Sequence, residues 1–519
     1  MTVQADATVR AGTVPMTRAQ IGQAMSGLYI SIFVAILSST IVTNALPTIV
    51  ADLHAGQSVY TWVITATLLT TTVSSPIWGK LADLLSKKLL IQISLVIFTA
   101  GSVLSGLASD AGLLIAARAV QGIGAGGLLA LIQVIIATMI SPRERGRYNG
   151  YFGALLAVAT SAGPLIGGFI VDTEWLGWRW CFFVGVPFAV AALIVLQRTL
   201  HLPAAKGDVR IDWAGAASLA AAASLLLVWV TFAGDGFAWL SWQSAAFVGG
   251  ALLLSLAFVV AERHAKDPVL PLWLFRTRTV ILAITASLVI GVAIYAGSTY
   301  LSQYFQLSEG RTATLAGVCT LPLVLGLALA STVGGRIVTA TGRWKPLLVV
   351  GTLLIAAGLA LLGLTRHDTP YWKLALAMGL LGVGLGATLQ NLVLAVQNQV
   401  GLRELGAAGS AVSFFRTLGG TIGVSALGAV LAGRVGRLTA DGSARSGVRA
   451  VGGSSIPRPA ELPAPVRTVI EDAYGHATGD LFVYTVPLAL VAFVCVLLIR
   501  EVPLRTSNAV GHDDEDGSR

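Results

Sequence analysis

Charged side chains are scarce in this 519-residue chain: Asp, Glu, Lys and Arg make up 11% of it, against roughly a quarter in soluble domains. So few cannot cover the surface of a water-soluble protein of this length, and that class is excluded. Cysteine is also scarce. Cys181, Cys319 and Cys495 each lie in or beside an apolar run, with no Cys-x-x-Cys pair. An odd, scattered set argues against a disulfide framework or a zinc site, and all three read as core-packing residues. Missing too are a G-x-x-x-x-G-K-[ST] loop, a metal cluster and a nucleophile elbow, so neither an enzyme nor a cofactor is expected. A last absence concerns the apolar stretches themselves. Asp52, Asp172, Glu262 and Asp480 fall at their ends, and all six histidines lie in loops or the tail.

What is present is apolar: 55% hydrophobic residues and a mean hydropathy of +0.79. A helix needs about 20 mainly apolar residues to cross a bilayer. Backbone groups cannot stay unpaired there, so crossing segments are helices or closed barrels, and these runs lack strand alternation. Spans are expected near 27–50, 60–80, 89–108, 111–139, 149–171, 181–199, 213–233, 243–262, 279–302, 312–338, 346–365, 373–397, 405–432 and 481–500. The residues before Gly27 are polar and show no cleavage site, so the first span is read as retained.

The net charge of +9 does not point to nucleic acid, because the basic residues sit in short loops between spans. They orient the chain instead. With the N-terminus inside, 22 of the 34 Lys and Arg fall on the cytoplasmic side and 10 outside, six of those in 433–479. Both termini are therefore expected in the cytoplasm of a bacterial inner-membrane protein, as tails 1–26 and 501–519. The Gly-, Ser- and Pro-rich outer loop 433–479 is expected to be poorly ordered, with a short surface helix in VRTVIEDAYGHATG.

The chain also repeats itself. GKLADLLSKK at Gly79 is echoed by GRIVTATGRW at Gly335, GIGAGG at Gly122 by GVGLGA at Gly382, and GPLIG at Gly163 by GGTIG at Gly419. Three matches in order at nearly one offset define two related halves, 27–199 and 279–500, of six spans each. Residues 213–262 have no counterpart and read as an inserted helix pair. Two halves around a central cavity are the architecture of many secondary transporters.

GKLADLLSKK resembles the signature loop of the major facilitator superfamily. RAVQGIGAGG (Arg118–Gly127), AGPLIGG (Ala162–Gly168), WRWCFFVGVP and ELGAAGSAVSFFRTLGGTIG resemble the fourteen-span drug:proton antiporter branch of that family. The resemblance runs from about Gly27 to Arg500. It implies an all-α membrane protein of two six-helix bundles plus two inserted helices, working as a monomer. It would export amphipathic small molecules by alternating access, with protons as the driving ion. An exporter or facilitator of lipids or metabolites without proton coupling, and a membrane sensor on a transporter fold, remain the other readings.

The resemblance also assigns candidate residues. Asp83, with Gly79, Lys87 and Lys88, would latch the inner gate against a helix start near Leu405; the echo loop carries Thr339 in place of Asp83, so the second latch reads as degenerate. Arg118, helped by Gln121, would handle protons or substrate, the alternative being a side chain reaching the outer interface. Gly167 and Gly168 admit a close helix and Pro164 bends its own helix, so that with Gly163 they form a hinge and outer seal. Arg416 lies near mid-span, where charge is expensive and faces a cavity. Tyr295, Tyr300, Gln303, Gln390, Asn391 and Gln397 either line the pathway or bond between helices.

Many relatives carry an Asp where this chain has Ser38. The stretch ILSSTIVTNALPTIV has Ser38, Thr43 and Asn44 but no acid, and no other acid replaces it at depth. Proton coupling is thus implied by the resemblance without an identifiable carboxylate. The deep charges, Arg118 and Arg416, are positive and repel cations. The expected cargo is therefore neutral, zwitterionic or anionic. Ser38 and Asn44 either line the cavity or bond neighbouring helices.

Overall fold

In the computed structural model the described residues are 18–53, 57–173, 175–202, 212–234, 236–265, 268–401, 404–446 and 463–504; within them a few side chains, those of Asn44, Pro164 and Asp172 included, lie outside the description. The helices are α1 (Arg18–Asp52), α2 (Gln57–Leu84), α3 (Lys87–Gly106), α4 (Ala111–Met139), α5 (Pro142–Asp172), α6 (Trp180–Phe183), α7 (Gly185–Thr199), α8 (Trp213–Phe232), α9 (Trp242–His264), α10 (Arg278–Leu307), α11 (Ala313–Cys319), α12 (Leu321–Thr341), α13 (Lys345–Leu362), α14 (Tyr371–Gln397), α15 (Leu405–Ser446) and α16 (Ala464–Leu498). The pairs α6–α7 and α11–α12 each make one near-continuous crossing. Thirteen stretches are long and apolar enough to span a bilayer. The protein is an all-α multi-pass membrane protein.

The fourteenth stretch is α2, 28 residues long, or about 42 Å at 1.5 Å per residue. Its Ser and Thr content lowers its hydropathy, but the hydroxyls are not left unpaired in the helix. Thr70, Thr72 and Ser75 donate to the carbonyls of Ala66, Leu68 and Thr71 one turn back, at 2.7–2.8 Å. Thr71 also donates to Gly122 O of α4 at 3.1 Å. This is how polar residues bind helices where water is absent. The glycines of GIGAGG allow the approach: a Cβ on Gly122 would lie 2.1 Å from Thr70 Oγ1, and one on Gly124 would lie 2.4 Å from Phe98 N of α3.

Large exposed tryptophans mark two levels, as aromatic belts do at a membrane's two interfaces. Trp213 and Trp273 are exposed on the face where α1 begins, here the proximal face. Trp175, Trp180, Trp242 and Trp372 are exposed on the opposite, distal face. Two apolar cores form, one mainly from α1–α5 and α7, the other mainly from α10 and α12–α16. The halves meet along two seams. Along one, α2 runs beside α15; along the other, α5 runs beside α12. Helix α8 lies over the first seam, where Ala223 and Leu227 pack with Phe414 and Leu418 against Leu69 and Val73.

The expectation of a poorly ordered loop over 433–479 is corrected. Residues 433–446 continue α15, and 464–479 are the first turns of α16 rather than a separate surface helix. The reason is side-chain pairing beyond the apolar span. Arg434 Nε donates to Asp480 Oδ2 at 3.0 Å, and Asp472 Oδ1 lies 3.2 Å from Nδ1 of both His367 and His476. Residues 447–462 lie outside the described residues. Cys181, Cys319 and Cys495 are free and buried.

Candidate functional site: an interhelical latch and a polar passage

At the proximal end of the first seam, Asp83 of α2 accepts two backbone hydrogen bonds from the start of α15. Gly406 N donates to Oδ1 at 2.9 Å and Ala407 N to Oδ2 at 3.0 Å. The first N–H groups of a helix have no partner within it, and the positive end of its dipole favours an anion. Gly79, one turn earlier, lets the two backbones touch. A Cβ there would lie 2.3 Å from Ser410 Oγ and 2.7 Å from Gly406 O. Asp83 lies beyond the expected span of α2. Burial pushes its carboxyl up to about 7, outweighing the two N–H donors and the nearby Lys87 and Lys80 ammonium groups that pull it down. Lys88 does not join this latch; its Nζ donates to Gln197 O at 2.7 Å.

The second seam closes at the same face. Gly335, the repeat partner of Gly79, sits against Gly146 and Gly150 of α5; a Cβ on it would lie 2.0 Å from Gly146 O. Thr339 stands where Asp83 stands in the first half, and it is not idle. Arg147 N, near the start of α5, donates to Thr339 Oγ1 at 3.0 Å. The reading of a degenerate second latch is corrected accordingly: a hydroxyl takes the position of the carboxylate. Between the seams, Gln133 Nε2 of α4 donates to Gln390 Oε1 of α14 at 2.8 Å, and both side chains are buried. Asn391 turns back to its own helix, donating to Ala387 O at 2.8 Å.

Arg118 is 3% exposed, so it does not reach the outer interface. Its Nη1 donates to Gln121 Oε1, and Gln121 Nε2 donates to Ser102 Oγ of α3 at 2.6 Å. The guanidinium Nε is buried with no hydrogen-bond partner among the described residues. The arginine therefore sits in a polar pocket within the first half, sealed from solvent in this conformation.

Arg416 of α15 lies eleven residues past the helix start, or roughly 17 Å along the axis. It is half-buried and beside the phenol of Tyr295. The ring of Tyr295 lies flat on Gly420, where a Cβ would come within 2.2 Å of Cδ2. Gln303 of α10 is half-buried. Tyr300 is committed elsewhere: its hydroxyl donates to Val424 O. Gln397 is buried beside Gly409, and its Nε2 has no partner.

Ser38 is sealed against α7, with its Oγ 2.6 Å from the point a Gly185 Cβ would occupy. It fills a helix contact rather than lining a passage. Thr40 does similar work, reaching Ala159 O of α5 at 3.4 Å. Asn44's side chain lies outside the described residues, as does that of Pro164. Of the AGPLIGG glycines, Gly163 and Gly167 admit α1, with 2.1 Å to Thr40 Oγ1 and 3.0 Å to Ile41 O. Gly168 instead faces Thr314 with ordinary room, 3.4 Å.

Sequence reasoning missed Gln133, Ser102 and Arg147; it expected a helix start near Leu405 against Asp83 without naming the N–H groups of Gly406 and Ala407. Gln133 carried a usable signal. It stands 257 residues before Gln390, about one helical turn from the offset that relates GIGAGG at Gly122 to GVGLGA at Gly382.

The profile of the family described as Major Facilitator Superfamily matches residues 28–424. The chain is 35% identical over 417 residues to the multidrug transporter protein MdtP of Bacillus subtilis (strain 168), covering 80% of this chain and 76% of that one. It is 35% identical over 512 residues to the uncharacterized MFS-type transporter Rv1877 of Mycobacterium tuberculosis (strain ATCC 25618 / H37Rv), covering 98% and 73%. It is 30% identical over 508 residues to the efflux pump dotC of Dothistroma septosporum, covering 94% and 85%. Among solved structures, the human organic anion transporter MFSD10 aligns with a TM-score of 0.59 at 13% identity, over 90% of this chain and 99% of that one. The proton:xylose symporter XylE aligns at 0.60 and 13% identity, over 90% and 95%. By profile, relatives and fold together, the chain belongs to the Major Facilitator Superfamily of membrane transporters.

Proposed function

We propose that this protein is an efflux transporter that moves amphipathic small molecules out of the bacterial cytoplasm by alternating access, driven by the proton gradient. The proximal face is cytoplasmic, in keeping with the positive-inside bias of its loops. The observation that carries the reading is the Asp83 carboxylate on the N–H groups of Gly406 and Ala407. It joins the two halves at the proximal face through hydrogen bonds that a rocking motion can make and break. The names of two relatives, a multidrug transporter and an efflux pump, agree with export.

The passage favours neutral, zwitterionic or anionic cargo. Arg416 is the charge at mid-depth, and no hydrogen bond or ion pair engages its guanidinium among the described residues. A cation there would meet repulsion instead of a counter-charge. Reconstituted vesicles with a pH gradient test both parts. Acidic and neutral amphipathic dyes should move when the gradient is imposed and stop when an uncoupler collapses it. Ethidium-like cations moving faster than either would sink the cargo assignment. Transport indifferent to the uncoupler would instead favour a facilitator.

A further inference from the structure

At the proximal end of the α8–α9 pair two carboxyl groups meet over a glycine. Asp212 caps α8, its Oδ1 accepting from Gly215 N at 2.8 Å. Glu262 ends α9 and is 4% exposed. Its Oε1 accepts from Val269 N at 2.9 Å and Leu270 N at 3.2 Å, which holds the turn after the helix. The point a Gly215 Cβ would occupy lies 2.1 Å from Asp212 Oδ2 and 3.1 Å from Glu262 Oε1. Gly215 thus leaves open the space in which the acids face one another.

The second oxygen of each group is the anomaly. Asp212 Oδ2 and Glu262 Oε2 are both buried, and neither has a hydrogen-bond partner among the described residues. A carboxylate kept only to brace the 269–270 turn would need Oε1 alone. Burying an ionised carboxylate with one oxygen unanswered is costly, and two such groups side by side repel. One proton between them removes both penalties: it turns an orphan acceptor into a donor and leaves one charge where there were two.

The cluster is also wired to the latch. Asp212 and Lys80 are the charged groups from other elements that act on Glu262, while Arg263 and His264 follow it on its own helix. Lys80, on α2, acts on Asp83 as well. Lys80 lies one turn before Asp83 on α2, and α2 packs against α8, which Asp212 caps, so its ammonium is within electrostatic reach of both the latch carboxylate and the α9 carboxyl, among its other contacts. A charged Glu262 draws the flexible Lys80 ammonium toward α9; a neutral one lets it lean toward Asp83.

We propose that Asp212 and Glu262 form a proton-binding site on the proximal face that sets the strength of the α2–α15 latch through Lys80. This rests on the latch reading of Asp83 given above. The proton comes from the solution on the proximal side and returns to it. Its binding tightens the latch, and its loss loosens it.

Glu262→Gln is the informative variant. Its amide oxygen can keep the bonds to Val269 and Leu270, and its NH2 stands in for the proton. Two measurements on the purified full chain test the proposal. Infrared difference spectra across roughly pH 5 to 9, taken in the Asp83→Asn background so that the latch carboxyl does not contribute, should show a protonated-carboxyl band that titrates and that vanishes when Glu262→Gln is added. Labelling of a Ser413→Cys reporter, on a residue of α15 that is buried in the latched form, should be at least about fivefold slower at high pH in Glu262→Gln than in its parent. A band that is absent from Asp83→Asn or survives the added Glu262→Gln overturns the site. A band that behaves as expected while labelling is unchanged overturns the link to the latch. If Asp83→Asn labels like the wild type, the latch reading itself falls, and the infrared result still reports on the carboxyl pair separately.

Discussion

Gln133 and Gln390 form a hydrogen-bonded amide pair that joins the two halves of the transporter through repeat-equivalent helices, 2.8 Å apart and 257 residues apart in sequence. Both lie in the proximal third of their helices, α4 and α14. The pair belongs to the same closed face as the Asp83 latch and the Gly335–Gly146 contact. A primary amide both donates and accepts, so two such residues can satisfy each other without a charge.

That relationship predicts a specific mutational pattern. Gln133→Leu alone leaves the Gln390 amide buried and unpaired, which costs about 1–3 kcal/mol. Gln390→Leu does the same to its partner. The double Leu variant removes both groups and should be more stable than either single one. Thermal unfolding in detergent, arranged as a double-mutant cycle, measures the coupling. Strictly additive losses would mean that the bond contributes nothing.

The latch predicts a pH dependence with a definite sign. The Asp83 carboxyl is raised to about 7 in the latched form, above its ordinary value near 4 in water. The latched form therefore binds the proton more tightly than a form in which Asp83 is solvated. Its advantage is fully present below the ordinary value and is lost as pH rises through about 7. Raising proximal pH should open the proximal face, and Asp83→Asn should flatten that Asp83-dependent part of the profile. Spin-label distances between α2 and α15 as a function of pH give the readout. A wild-type distance that lengthens on acidification would reverse the sign and sink the account.

Gly79 makes a steric prediction. Gly79→Ala puts a methyl 2.3 Å from Ser410 Oγ and 2.7 Å from Gly406 O, so the backbones must part. Overpacking of this kind typically costs 1–3 kcal/mol, and here it falls on the latched form alone. Transport should drop while expression and helix content hold. A matched Gly22→Ala on α1, where a Cβ meets nothing within 4 Å, should behave as wild type. Equal loss in both would show that the seam is not the cause.

Much of this was legible in the residues because membrane helices obey few rules. Apolar length places the crossings, and the spacing of GKLADLLSKK from its echo places the halves. The helix ends were less legible. Arg434 and Asp480 extend α15 and α16 past the bilayer by pairing across helices, and no local pattern announces a partner 46 residues away. The site was legible in kind and not in contact. Asp83 names itself by its motif, but Gly406 and Ala407 contribute backbone N–H groups, which sequence does not distinguish. Ser38 was ambiguous for a related reason. A hydroxyl in a span suits a passage or a helix contact equally, and only the position of Gly185 decides it.

Thr339 offers the last test, because it asks what the missing carboxylate would do. Its hydroxyl accepts from Arg147 N in the second turn of α5. Arg143 already reaches Thr339 O and Ala340 O at 3.4 Å. Thr339→Asp would place an anion against that N–H and beside that guanidinium. Hydrogen bonds to charged groups contribute about 1.5–3 kcal/mol. The variant should hold the proximal face shut more firmly, raise the unfolding temperature and slow turnover. Turnover that rises instead would mean that the second seam does not have to open for transport, and that the two halves part by a hinge at α5–α12 with only the α2–α15 side swinging free.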